Sequence, residues 1–306
     1  MPSQVAQDHQ VRRERLAAST SRLAVRLWRE IDVDNLAADW ERRVHRVAAL
    51  VAAGQLEAAR QADAYLAQLL VDAEPVGRVS PEALAGVASD GRDLTDLLMY
   101  PLWACLRALT KGASVLAAVA SGSALLDLLA RTMVADAGRA ADLVAMAARP
   151  AITSYVRVVE LPACARCIVL AGREYGLSTG FQRHPRCDCT MEPVTRNYKP
   201  DIVDPQDVFD SMTPAQRRRV FGEAGTKAIE AGADVAQVVN ARRGMTTATR
   251  YGRNVRATTE GQTRRGLTRN RRPRGAPRLM PEEIMRIAGG NREEAIRLLT
   301  RHGYIV

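Results

Sequence analysis

Apolar residues recur at helical spacing through most of the first 160 positions, which predicts a helical region. Between Asp8 and Glu30, Leu16, Leu23 and Leu27 fall at helix-compatible intervals. Ile31-Asp32-Val33-Asp34 interrupts that run, and Asp34 is placed to cap a second helix carrying Leu36, Trp40, Val44, Val47 and Val51. This helix continues through Leu66, Leu69 and Leu70 until Pro75 and Gly77 stop it. Ser80-Pro81 has the cap-then-proline order of a helix start. Further helices are predicted over 93–109, kinked or divided at Pro101, and over 114–133 and 137–148. Gly112, Gly122 and Gly138 mark either helix boundaries or tight helix crossings.

The pattern changes near Tyr155. Tyr155 to Leu161 fits a short strand or the last turn of a helix, and 198–210 reads as loop. Thr213-Pro214-Ala215-Gln216 has the arrangement of a capping box and opens a helix. A further turn is predicted at 226–230, and Asp234 caps a short helix that Gly244 follows as a stop. Residues 242–278 show no sustained apolar period and predict an extended or disordered arm. Pro281 leads a helix to Ala288, Gly289-Gly290 breaks it, and Asn291 caps a second helix to Arg301. The fold class expected is mainly α, in four parts: a helical scaffold over 1–154, a small Cys/His-rich α+β module over 155–245, a basic arm over 246–278, and a C-terminal helical hairpin over 279–306.

Hydrophobic content of 47% excludes a wholly disordered chain, while aromatics at 4% leave Ala, Leu and Val to fill the core by close helix–helix contact. Charge sharpens the picture of the arm. The whole chain carries +10, yet 242–278 alone holds twelve arginines against the single acid Glu260, a net of +11. An acidic partner such as nucleic acid or an electronegative protein surface is implied. Arg253, Arg256, Arg264, Arg265, Arg269, Arg271, Arg272 and Arg274 are suited to neutralising phosphates without reading bases. Tyr251 is the only aromatic there, which argues against a base-stacking platform. The polar N-terminus lacks the apolar run of an export signal, so the thiols are expected in a reducing compartment. Gly112 to Ala130 is apolar but contains Asp127, and a buried helical hairpin is expected there in preference to a membrane span. Cys105, within an apolar run, reads as a small buried hydrophobe.

The remaining four cysteines form a pattern of their own. Cys164-Ala-Arg-Cys167 is followed by His184-Pro-Arg-Cys187-Asp-Cys189, which offers five ligands where tetrahedral zinc needs four. Either all four thiolates serve, or His184 replaces one of Cys187 and Cys189. A structural Zn(2+) clasp is the expectation, with reduced thiols or disulfides as the alternative. No catalytic role is expected: the His-Glu-x-x-His motif, the phosphate-binding glycine loops and an orienting triad for a cysteine nucleophile are all missing.

The run Gly180-Phe-Gln-Arg-His-Pro-Arg-Cys-Asp-Cys189, with Cys164-Ala-Arg-Cys167-Ile-Val-Leu-Ala-Gly172 before it, resembles the Mu F-like head morphogenesis family of tailed bacteriophages. Asp210-Ser-Met-Thr-Pro-Ala-Gln216 and Ala233-Asp-Val-Ala-Gln-Val-Val-Asn-Ala-Arg-Arg-Gly-Met245 are similar to its actinobacterial phage members. The resemblance spans about residues 150–245. It implies a non-enzymatic minor head (capsid) protein inside the virion at the portal vertex, made in the host cytoplasm and acting in head assembly, with genome packaging or ejection as a further role. The partners implied are the portal protein, other capsid or scaffold proteins and packaged double-stranded DNA held by non-specific phosphate contact, with no membrane during assembly. A zinc-containing DNA-binding regulatory protein is the alternative, and a metal-dependent hydrolase or toxin a weaker third.

Overall fold

The structure is a computed structural model that describes all residues except 1, 160, 162, 181–188, 202–203, 251, 262–276 and 306. The chain is mainly helical and divides into two compact units. The first comprises Met1–Glu160 with Gly172–Ile202, and the second Leu161–Ala171 with Val203–Val306. That division runs through the segment expected to form a single Cys/His module.

The first unit contains α1 (Gln4–Arg29), α2 (Leu36–Leu69), the short α3 (Leu94–Leu97), α4 (Tyr100–Thr110) and α5 (Val115–Ala147). Helix α5 packs against α1, α2 and α4. Trp28 on α1 meets Trp40 on α2 edge-to-face at 4.7 Å, and both indole N–H groups donate to carbonyls, of Val119 and Leu98, at 3.0 Å each. This closeness depends on glycine. A Cβ at Gly122 would lie 2.2 Å from Trp28 Cζ2, and one at Gly54 would lie 2.7 Å from Thr20 Oγ1. Gly122 is therefore a crossing point and not a boundary.

Several local expectations change here. The helices expected over 114–133 and 137–148, and the hairpin expected at 112–130, are one unbroken helix, because 134–136 contains no breaker and Gly138 is held against Arg13. By length and composition α5 could also cross a membrane; in this fold three helices pack on it. Pro101 sits in the first turn of α4, where its missing N–H costs nothing, and so does not divide that helix. Asn35, not Asp34, is the N-cap of α2, and Ser80-Pro81 opens only a 3-10 turn, Pro81–Leu84. Cys105 is buried in the core, as expected.

The unit also holds a three-stranded antiparallel sheet of β1 (Ile152–Val158), β2 (Glu174–Gly176) and β3 (Thr190–Thr195), in the order β2-β1-β3. Tyr155 stands opposite both Tyr175 and Pro193. Only Thr153 of β1 is exposed, so the strand shows no alternation, and periodicity could not separate it from a helical turn.

The second unit runs α6 (Ala165–Leu170), α7 (Pro205–Ser211), α8 (Pro214–Glu230), α9 (Val235–Ala241), β4 (Met245–Arg250), β5 (Arg253–Thr258), β6 (Arg278–Leu279), α10 (Pro281–Ala288) and α11 (Arg292–Arg301). Phe209 and Phe221 pack edge-to-face at 5.3 Å within its core. The predicted caps are present: the Thr213–Gln216 box on α8, Asp234 on α9, Asn291 on α11, and left-handed Gly289 closing α10. Helix α7 occupies part of the expected loop, started by Asp204, whose side chain accepts from Gln206 N, and by Pro205.

The expected arm is also partly structured. Strands β4 and β5 pair antiparallel from Met245↔Thr258 to Arg250↔Arg253, and Gly252 has φ 71° in the two-residue connection. Strand β6 adds to β5 and brings Arg278 into the core, 1% exposed.

Candidate functional site

Strand β5 presents Arg253 and Arg256, both exposed, and neither forms an ion pair among the described residues. Successive strand residues face opposite sides, so these two, three positions apart, lie on opposite faces of the ribbon. Thr247 stands opposite Arg256, and Thr246, Thr247 and Thr249 of β4 are exposed beside them. The nearby arginines are engaged: Arg242 pairs with Glu282 at 3.6 Å and Arg243 with Glu260 at 3.8 Å. Arg264, Arg265, Arg269, Arg271, Arg272 and Arg274 lie outside the described residues.

Arg278 belongs to the same charge-dense stretch and has a different role. Its Nε donates to His302 O at 2.9 Å, Nη1 to Glu260 O at 3.0 Å, and Nη2 to Gln237 Oε1 at 3.0 Å and Gly303 O at 3.2 Å. The guanidinium lies 4.2 Å from the centre of the Tyr304 ring, whose hydroxyl donates to Leu279 O. This arginine ties β6 to the end of the chain and offers no charge to a partner.

Among the described residues the cysteines are not gathered into the expected metal cluster. Cys164 is the N-cap of α6, and its sulfur accepts from Cys167 N at 3.4 Å; Cys167 is buried one turn inside that helix. Both belong to the second unit, whereas Cys189 belongs to the first. Cys189 is buried, and its sulfur accepts from Arg157 Nε at 3.2 Å and Nη2 at 3.0 Å. Its carbonyl accepts from Arg139 Nη1 at 3.2 Å. His184 and Cys187 lie outside the described residues. Among the described residues no group of three or more His, Cys, Asp or Glu side chains is gathered to hold a metal ion. The expected structural Zn(2+) at Cys164, Cys167, His184, Cys187 and Cys189 is corrected accordingly. The physical reason is that the sulfurs serve other purposes: one caps a helix, and another satisfies a buried guanidinium.

A buried polar layer near Cys189 escaped the sequence reading. Arg13 Nη2 lies 2.5 Å from Asp142 Oδ1, and His9 Nε2 lies 3.2 Å from the same atom. Thr190 Oγ1 accepts from Arg13 Nη1 at 3.3 Å and donates to Asp142 Oδ2 at 3.4 Å. His9 stacks on Tyr65 at 3.9 Å, and the Tyr65 hydroxyl donates to Met191 O. Burial lowers the His9 pKa against the opposing pull of Asp142. Burial also pushes Asp142 upward, but Arg13 and His9 outweigh it and hold the carboxyl below its usual range. With His9 and Asp142 at 0% exposure, this layer joins α1, α2, α5 and β3 and has no surface opening. The signal was present: His9 and Arg13 stand at i and i+4, on the buried face of a helix.

Comparison of the chain with protein-family models, with curated proteins and with solved structures finds no match.

Proposed function

We propose that this chain is a non-enzymatic minor head protein of a tailed phage, whose basic ribbon and the arginine-rich segment after it hold packaged double-stranded DNA through phosphate contacts. The observation that carries the proposal is the concentration of charge: a net of +11 over 242–278, opening on a ribbon whose Arg253 and Arg256 are exposed and without ion pairs among the described residues. Two faces bearing guanidinium groups suit a polyanion met from several directions better than the reading of one groove. The location at the portal vertex rests on the resemblance of residues 150–245 alone.

Two measurements test the reading. Purified full-length chain is expected to bind duplexes of unrelated sequence equally well, with affinity falling steeply as salt rises. Sequence-specific binding would instead favour a regulatory protein. A cryo-EM reconstruction of the intact head, without symmetry imposed at the portal vertex, is expected to show the chain inside; its absence from the particle overturns the proposal.

A further inference from the structure

A groove between α1 and the first half of α5 carries two features that the DNA-binding reading does not use. One wall is basic: Arg22, Arg26 and Arg29 follow each other at spacings of four and three on α1, all exposed, and none forms an ion pair among the described residues. Glu30, the acid nearest to them in sequence, is taken by Arg43 at 3.2 Å. Apolar side chains line it as well, Val25 from α1 and Leu116, Val119 and Ala120 from α5. The groove encloses about 690 Å³. Its one acid, Asp127, accepts from Ser21 at 2.6 Å and from Arg131 at 2.8 Å.

Part of the apolar side stands open at the start of α5. Leu116 at the start of α5 is 83% exposed, and Val115 beside it 47%. Exposed apolar side chains beside a row of charges without ion pairs suit an interaction site.

We infer that this groove is the docking site for an acidic amphipathic helix of another protein. Residues three and four apart on a helix stand about 5–6 Å from one another, so the three arginines form a row at the pitch of an incoming helix. Glutamates on one flank of that helix meet the row, while its apolar stripe meets the apolar lining. A nucleic acid would pair with the arginines but leave Leu116, Val119 and Ala120 uncovered. An isologous second copy would present this same groove, which brings no acidic row to meet the arginines. The inference stands on the geometry of the first unit and does not require the head-protein reading.

The test uses full-length protein and labelled helical peptides of about 18 residues, followed by fluorescence anisotropy. One peptide carries a leucine stripe flanked by glutamates, a second the same stripe flanked by lysines, and a third the glutamates without leucines; duplex DNA and the protein's own self-association are measured alongside. The first peptide is expected to bind alone among the three, more weakly at high salt. Both the triple variant Arg22→Glu, Arg26→Glu, Arg29→Glu and the single variant Leu116→Glu are expected to weaken it about tenfold or more. The triple variant is expected to gain affinity for the lysine peptide, a result that loss of folding cannot imitate. Equal binding of the first two peptides, failure of all three, indifference to both variants, or occupation of the groove by DNA or a second copy overturns the inference.

Discussion

Arg13 and Arg278 count toward the same net charge as Arg253, yet both are buried and neither reaches solvent to meet a partner. Arg278 holds four acceptors and a tyrosine ring, so Arg278→Met is expected to leave the carbonyls of Glu260, His302 and Gly303 without their donor. A loss of about 2–4 kcal/mol is expected, read as faster hydrogen exchange at Leu279 and through α11. In the polar layer of the first unit, burial lowers the pKa of His9 when folded, while unfolded it titrates near the ordinary imidazole value of 6.5. The unfolded state therefore binds more protons below that value, and the stability associated with neutral His9 is lost as pH falls through its folded pKa. Asp142, held low by Arg13 and His9, acts in the same direction at more acid pH, below the ordinary carboxyl value of 3.8. All three tryptophans, Trp28, Trp40 and Trp103, lie in the first unit, so their fluorescence reports its unfolding alone. Melting followed this way is expected to fall between pH 7 and pH 5, and His9→Gln is expected to flatten that dependence; an unchanged slope refutes the assignment to His9.

At the scale of elements, α5 shows how packing overrides local preference. Glycine disfavours a helix interior by about 1 kcal/mol relative to alanine, so Gly122→Ala would stabilise an isolated helix. Here the added methyl would meet Trp28 at 2.2 Å and Pro101 O at 2.8 Å. Overpacking costs of about 1–3 kcal/mol are expected to win, lowering the melting temperature by tryptophan fluorescence; a rise would mean that α1 and α5 can part at no cost. The β4–β5 ribbon makes a separate prediction. If Arg253 and Arg256 each neutralise one phosphate, Arg253→Gln with Arg256→Gln should lower the slope of log affinity against log salt by about 2, equally for every duplex sequence. An unchanged slope would move the DNA contact away from the ribbon.

At the scale of the whole molecule, no group of three or more His, Cys, Asp or Glu side chains among the described residues is gathered to hold a metal ion. Treatment with EDTA is therefore expected to leave the melting of the protein unchanged, and elemental analysis to find no stoichiometric zinc. A structural zinc site would instead couple folding to metal, and a marked drop on chelation would reverse the correction. Charge is as unevenly distributed over the whole chain as the sequence indicated, but part of the charge-dense stretch is interior, so the number of arginines available to a partner is smaller than their count.

Local chemistry was legible in the sequence wherever partners stand within a few residues of each other. Thr213 and Gln216, Asp234, Asn291 and Gly289 delimit helices because caps act over one turn, and the apolar spacing along α1 and α2 reports one buried face. The sequence by itself determined the mainly helical class, the C-terminal hairpin and the location of the charge. Tertiary structure decided what depends on distant partners: that 115–147 is one helix, that β1 is a strand buried on both faces, that Arg278 is interior while Arg256 is not, and that Cys189 answers Arg157. The reason is that spacing encodes a residue's near neighbours, whereas these contacts are made by residues far apart in the chain, 32 positions for Arg157 and Cys189 and 129 for Arg13 and Asp142.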